Sequence, residues 1–268
     1  MPSAAARHEL QFAEPSKYID AALGYRIGNA PVSFGAWNLE ASRSPSVPPP
    51  ERVLTEVAAA GYDGIELGPL GWLDPASIAT HGLELPGAYV SIPFGDGVGR
   101  LDATLDVFDA VAPSARPILA DDGDLRAPLD TDDVARAVEH ARARGYEPTF
   151  HHHLGTRVET HAQIELLLER VDVPLLLDTG HLAAAGVAPI AALDEWSARI
   201  DYVHLKDVHL PSRVFCELGT GDVDVRGFLA ALDGYDGWLV VEQDWVPQPG
   251  DDPEAQIAAQ ARNRAFLG

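Results

Sequence analysis

EPTFHHHLGT, residues 147–156, is an apolar-leaning run that ends in three consecutive histidines and a glycine. Several other runs have the same shape. RIGNAPVS (26–33), DGIEL (63–67), GAYVSI (87–92), RPILA (116–120), EPTFH (147–151), VPLLLD (173–178), DYVHLK (201–206) and GWLVVE (237–242) read as short strands, each ending near polar or small residues. Between them ERVLTEVAAAG, RLDATLDVFDAVA, DTDDVARAVEHARARG, HAQIELLLERV, PIAALDEWSARI and DVRGFLAALDG carry the three- and four-residue apolar spacing of helices. LDPASIATHG is a shorter helix candidate, and DPEAQIAAQARNRAFL supplies the last one.

Eight β-then-α units predict an α/β fold, a closed (β/α)8 TIM barrel in a single domain, in preference to an open doubly wound sheet with the same alternation. The barrel is expected over residues 25–268, with residues 1–24 an N-terminal extension that is partly disordered or caps the barrel floor. The prolines of SPSVPPPE (44–51) are expected to open the first helix at its first turn.

With 268 residues, 46% of them hydrophobic, the chain can bury one sizeable core. Nineteen basic against 41 acidic residues give a net charge of −22, a field that repels polyanions and anionic membrane surfaces. Cys216 is the only cysteine, which excludes an intrachain disulfide and a thiolate-rich zinc site. No apolar run approaches the ~20 residues needed to span a bilayer, and no signal-peptide core opens the chain, so a cytoplasmic location is expected.

In a barrel of this kind the chemistry gathers at the C-terminal ends of the strands. The fifth predicted strand ends in His151, His152 and His153, the sixth in Asp178, Thr179, Gly180 and His181; the seventh carries His204 and Lys206, and the eighth reaches Glu242 and Asp244. Side chains alternate along a strand, so one inward residue from each of four neighbours gives the set His151, Asp178, His204 and Glu242. Two imidazoles and two carboxylates suit a borderline divalent ion: Mn²⁺ or Co²⁺ is expected, with Fe²⁺, Zn²⁺ or Mg²⁺ as alternatives. The same alternation points His151 into the mouth, turns His152 outward, and returns His153 inward one layer higher. Each residue also has an ordinary reading: Asp178 as a cap, His204 as a satisfied core histidine, Lys206 and Asp207 as a surface ion pair, Glu242 as an exposed strand end. Four ionisable groups at barrel depth nevertheless need partners, which favours the metal.

FHHHLGTRVET, LLLDTGH, YVHLKDV, GTGDVDV and YDGWLVVEQD, in that order, resemble the inosose dehydratase branch of the xylose-isomerase-like TIM barrels, also called sugar phosphate isomerases/epimerases. NAPVSFGAW and GYDGIELGPLGWL extend the likeness towards the N-terminus. The resemblance implies a divalent metal on Asp178, His204 and Glu242, with His151 where many relatives have a glutamate. It also gives His153, His181 and Lys206 to the substrate and Glu66 to its hydroxyls. Two departures, the shortened ending VVEQDWVP and the brief segment between HLKDV and GTGDVDV, border the pocket and bear on the choice of substrate.

The chemistry implied is removal of a proton α to a ketone and loss of a β-hydroxyl as water. Glu242, His153 and Lys206 are the candidate catalytic groups: a carboxylate or imidazole takes the proton, and a protonated imidazole or Lys206 assists the hydroxyl. An aldose-ketose isomerase or 3-epimerase shares the first step, and a non-catalytic sugar-binding subunit is the alternative of another class. An apurinic-site endonuclease on the same fold is opposed by the charge. The expected partner is a small polyol or keto-sugar, with no nucleic acid and no membrane, and with a homo-oligomer left open. Arg157 and Arg213 are the cations in sight for an anionic substrate. GDGVGR (95–100) lacks the spacing of a phosphate loop, and GTGDVD (219–224) reads as a turn and helix start. Trp37, Trp72 and Trp245 follow strands one, two and eight, where they pack the rim or, for Trp37, wall the substrate.

Overall fold

In the computed structural model, residues 24–92 and 98–268 are described. The N-terminal extension, apart from Gly24, and residues 95–97 of the glycine-rich stretch therefore lie outside the described residues. The chain runs β1 (Arg26–Asn29), α1 (Pro50–Ala60), β2 (Gly64–Ile65), α2 (Pro75–Thr80), β3 (Gly87–Ile92), α3 (Gly99–Val111), β4 (Arg116–Asp121), α4 (Thr131–Ala143), β5 (Thr149–His151) and α5 (His161–Arg170). It continues with β6 (Leu175–Asp178), α6 (Thr179–Ala184), α7 (Pro189–Trp196), β7 (Ile200–Leu205), β8 (Asp207–His209), β9 (Val214–Cys216), α8 (Val225–Ala231), β10 (Trp238–Val241) and α9 (Pro253–Leu267).

Eight strands pair in parallel in the order β2-β1-β10-β7-β6-β5-β4-β3. The two ends of this order meet: Gly64 bridges Glu84, the Ile65 N–H donates to Glu84 O at 3.0 Å, and the Leu67 N–H donates to Gly87 O at 3.1 Å. Closure removes the sheet edges that an open doubly wound sheet would keep, and the result is the expected TIM barrel. Outward strand residues such as Leu175, Leu177, Val203 and Leu239 join the helices in one large core, while Ile118, Leu176, Tyr202, Trp238 and Val240 fill the lumen.

Small residues on β1 to β3 make room for those lumen side chains. A Cβ on Gly64 would lie 2.7 Å from Glu84 O and 3.0 Å from the Trp238 ring. Because the nearer atom is backbone at the closing seam, it cannot swing away. Gly64→Ala is therefore expected to cost about 1–3 kcal/mol, read as a lower urea midpoint at unchanged m-value.

Local chemistry explains most of the helix starts. Pro50 opens α1, as the proline-rich loop predicts, and Gly61 closes it in the left-handed region at φ 87°. Asp224 accepts the Gly227 N–H at the start of α8, so GTGDVD is a turn and helix start. Two features were not expected. α6 begins directly at Asp178, and the seventh barrel strand runs on into an antiparallel hairpin, β8 with β9, that occupies the brief segment before GTGDVDV.

Candidate metal centre at the barrel mouth

β5, β6, β7 and β10 are neighbours in the sheet, and each ends beside the same point. Asp178 closes β6 and stands opposite His204 in the β6–β7 register. His151 closes β5, and Glu242 follows β10 directly. One donor atom from each of His151, Asp178, His204 and Glu242 lies within 4.8 Å of the others, and all four residues are buried.

Asp178 is held by contacts that leave one oxygen over. Its backbone N–H donates to His152 Nε2 at 3.1 Å, and its Oδ1 accepts the His181 N–H at 2.8 Å, capping α6. The ordinary reading of Asp178 as a cap is thus correct for one oxygen only. Among the described residues Oδ2 accepts no well-aligned hydrogen bond; its close contact is the Lys206 ammonium at 3.1 Å, and it lies 3.9 Å from His151 Nε2 and 3.7 Å from His204 Nδ1. His204 Nδ1 is likewise without a hydrogen bond, although Glu242 Oε2 is 2.9 Å away. Buried donors and acceptors are nearly always well paired, so poorly aligned donor atoms converging on one point fit an ion held there. Two imidazoles and two carboxylates are the right donors for a borderline divalent ion.

Lys206 is fully buried within the same cluster. Its Nζ lies 3.1 Å from Asp178 Oδ2, 2.9 Å from Glu242 Oε2 and 2.8 Å from Asp244 Oδ1, and donates to His181 Nε2 at 2.9 Å. A surface pair with Asp207 does not form. Alternation turns Asp207 to the other side, where it accepts the N–H groups of Val208, Gly219, Gly221 and Val223 and folds the GTGDVD loop about itself. Burial opposes the charge on Lys206, yet the carboxylates of Asp178, Asp244 and Glu242 outweigh it and hold the ammonium well above its ordinary pKa. Burial likewise opposes the charge on His204, and Glu242 and Glu66 outweigh it and raise its pKa well above normal. His151 and His181 go the other way: burial, and then neighbouring positive groups, push them well below and keep them neutral. Burial raises the pKa of Asp244 despite Lys206 beside it.

The expected substrate residues are divided. His153 lines the mouth, donates from Nδ1 to Leu154 O at 2.8 Å, and lies with its ring 3.9 Å from that of His181. A second triad of donor atoms, from His151, His153 and His181, also lies within 4.8 Å. Glu66 faces the mouth at the end of β2, but its Oε1 accepts from Tyr202 Oη and pairs with His204 Nε2, both at 2.9 Å. The Trp37 indole N–H donates to Trp245 O at 2.6 Å, which leaves its ring as wall. Trp72 packs against the outer core instead.

These groups open on a cavity of about 610 Å³. Its polar lining includes Glu66, His151, His153, Lys206, Glu242 and Asp244, and its apolar lining includes Trp37, Leu39, Leu70 and Tyr89. Neither expected cation lines it. Arg157 is spent on Asp121, and Arg213 is exposed at the turn of the β8–β9 hairpin with φ 55°. Among the described residues a guanidinium that does line it, that of Arg100, was not singled out from the sequence; its Nη1 donates to Ser91 O and Asp122 Oδ2 at 3.0 Å each. Tyr89 and Tyr202 were missed as well, and period-two alternation on β3 and β7 was the available signal for both.

The family model for xylose isomerase-like TIM barrels matches residues 129–265. An inosose dehydratase of Geobacillus kaustophilus is 30% identical, with 83% of this chain and 88% of that protein covered. Among solved structures, an L-ribulose 3-epimerase superposes with a TM-score of 0.68 at 23% identity, over 91% of this chain and 93% of its own. The IolI protein, solved with a bound zinc atom, superposes with a TM-score of 0.65 at 16% identity, over 90% and 97%. The family match spans more than half the chain and takes in β5 to β10, the strands that present all four candidate ligands; the chain belongs to the xylose isomerase-like TIM barrel family.

Proposed function

We propose that the chain is a divalent-metal-dependent dehydratase that acts on a keto-cyclitol or keto-sugar of the inosose type. The observation that carries this reading is the convergence of one donor atom each from the buried His151, Asp178, His204 and Glu242 within 4.8 Å of one another. The likeness over most of the chain to proteins named inosose dehydratase supports the choice of reaction. Mn²⁺ or Co²⁺ is the ion of choice for two imidazoles and two carboxylates, and the zinc in the IolI structure makes Zn²⁺ the first alternative.

When bound, the ion supplies a Lewis acid that polarises the substrate carbonyl. The chain's own groups do the rest. Lys206, held as an ammonium, donates a hydrogen bond to the departing hydroxyl and cannot serve as base. His153, whose Nδ1–H is spent on Leu154 O, keeps the Nε2 lone pair for the proton α to the carbonyl, and Glu242 is the alternative base. Neutral His181 accepts from Lys206 and fixes where the ammonium points. The apolar lining excludes water from the carbon skeleton. The substrate is small and not a nucleic acid, in keeping with the net charge of −22. Among the described residues no helix is long and apolar enough to cross a membrane.

Metal-loaded protein incubated with inosose is expected to generate a conjugated dione chromophore, abolished by chelator and restored by Mn²⁺ or Co²⁺. Conversion to an epimer without loss of water would sink the dehydratase reading in favour of the epimerase. Protein purified without chelator that holds less than about a tenth of an equivalent of transition metal, and takes up none on addition, would favour a non-catalytic subunit.

A further inference from the structure

The resemblance assigns Glu66 to substrate hydroxyls, yet its closest partners are parts of the barrel itself. Glu66 is 2% exposed, and its Oε1 is 2.9 Å from both Tyr202 Oη and His204 Nε2. Nε2 of His204 faces a carboxylate oxygen that can only accept, so it carries a proton and donates it to Glu66. Nδ1 lies 3.7 Å from Asp178 Oδ2 and 2.9 Å from Glu242 Oε2, and with Nε2 keeping its proton for Glu66, Nδ1 is the nitrogen that is free to give up its proton and ligate an ion held between those carboxylates. Tyr202, on the same strand as His204 and one inward position below it, donates to the same Glu66 oxygen and keeps the carboxylate turned to the ring.

We propose that Glu66 is a positioning residue: through Nε2 it sets the tautomer and ring angle of His204 so that Nδ1 can ligate the ion. The inference rests on the metal reading above and makes the Glu66–His204 pair the outer support of the site. Glu66 reaches the site from β2, on the far side of β1 and β10 from β7, so the support comes from across the lumen and not from the ligand's own neighbourhood.

The test is Zn²⁺ affinity of the full chain by competition with a chromogenic chelator, alongside KM and kcat at saturating metal. Glu66→Gln is expected to weaken Zn²⁺ binding about 10–100-fold and leave KM within about twofold. Tyr202→Phe, which removes one of the two bonds on Oε1, shifts affinity in the same direction by a smaller factor and answers the question if the glutamine variant does not fold. In zinc-loaded protein the ¹⁵N spectrum is expected to show His204 protonated at Nε2. Unchanged Zn²⁺ affinity in both variants, with KM raised tenfold in Glu66→Gln, would return Glu66 to the substrate and overturn the inference alone. A wild-type chain that binds no Zn²⁺ would overturn the metal reading and this inference together.

Discussion

Asp178→Asn is expected to leave the barrel folded, strip it of divalent metal and lower turnover by on the order of a thousandfold, about 4 kcal/mol in the barrier. The substitution is narrow. Asparagine keeps an oxygen to accept the His181 N–H, and its backbone N–H still donates to His152, so the junction of β6 and α6 is retained. What it removes is Oδ2, the buried oxygen turned toward His151 and His204, and in its place stands an NH₂ that cannot ligate. The NH₂ also faces Lys206 Nζ, which lies 3.1 Å from Oδ2 in the parent, so donor meets donor. Lys206 keeps Glu242 and Asp244 as partners, and the loss of one carboxylate does not strand the ammonium. Elemental analysis and the dione assay read the two effects separately. A variant that keeps both metal and turnover would move the ion to the neighbouring donors of His151, His153 and His181.

The three consecutive histidines are expected to give three different phenotypes when each is changed to alanine. His151→Ala loses a donor whose Nε2 lies 3.9 Å from Asp178 Oδ2, and it should weaken metal binding strongly while leaving the fold in place. His152→Ala touches no cavity atom. It strands the buried Asp178 N–H, and its effect should be a stability loss of about 1–3 kcal/mol with metal retained once folded. His153→Ala keeps the four candidate ligands and removes the imidazole proposed as base, so metal should stay and turnover should fall about 10²–10⁴-fold. Metal content, urea midpoint and kcat for the three variants form the test. A His152→Ala protein that loses metal at unchanged stability would show the roles of the first two histidines to be exchanged, as a one-residue slip of β5 would produce.

Much of this site was legible because a strand's pleat is a local property. Once GAYVSI, EPTFH, VPLLLD, DYVHLK and GWLVVE are read as strands, period-two alternation alone puts His151 with His153, and His204 with Lys206, on one face. The barrel then turns that face inward. The number of β-then-α units and the polar ending of each strand also follow from sequence, since each repeats within about 30 residues. The positions of α6 and of the β8–β9 hairpin were harder to read, because each begins directly after a residue already committed to a strand end, Asp178 or Lys206.

The pairings across the mouth were decided by the tertiary structure. The sequence places Lys206 on the inward face with His204 and leaves a surface pair with Asp207 as the ordinary alternative; it becomes the buried cation of Asp178, Glu242 and Asp244 only when β6 and β10 flank β7. Glu66 meets His204 across 138 residues of chain, and His152 finds the Asp178 N–H across 26. Arg157 is taken from the rim by Asp121, 36 residues earlier. Alternation states which face a side chain occupies, while its partner depends on barrel closure and on the stagger between strands, and neither is written in any single segment.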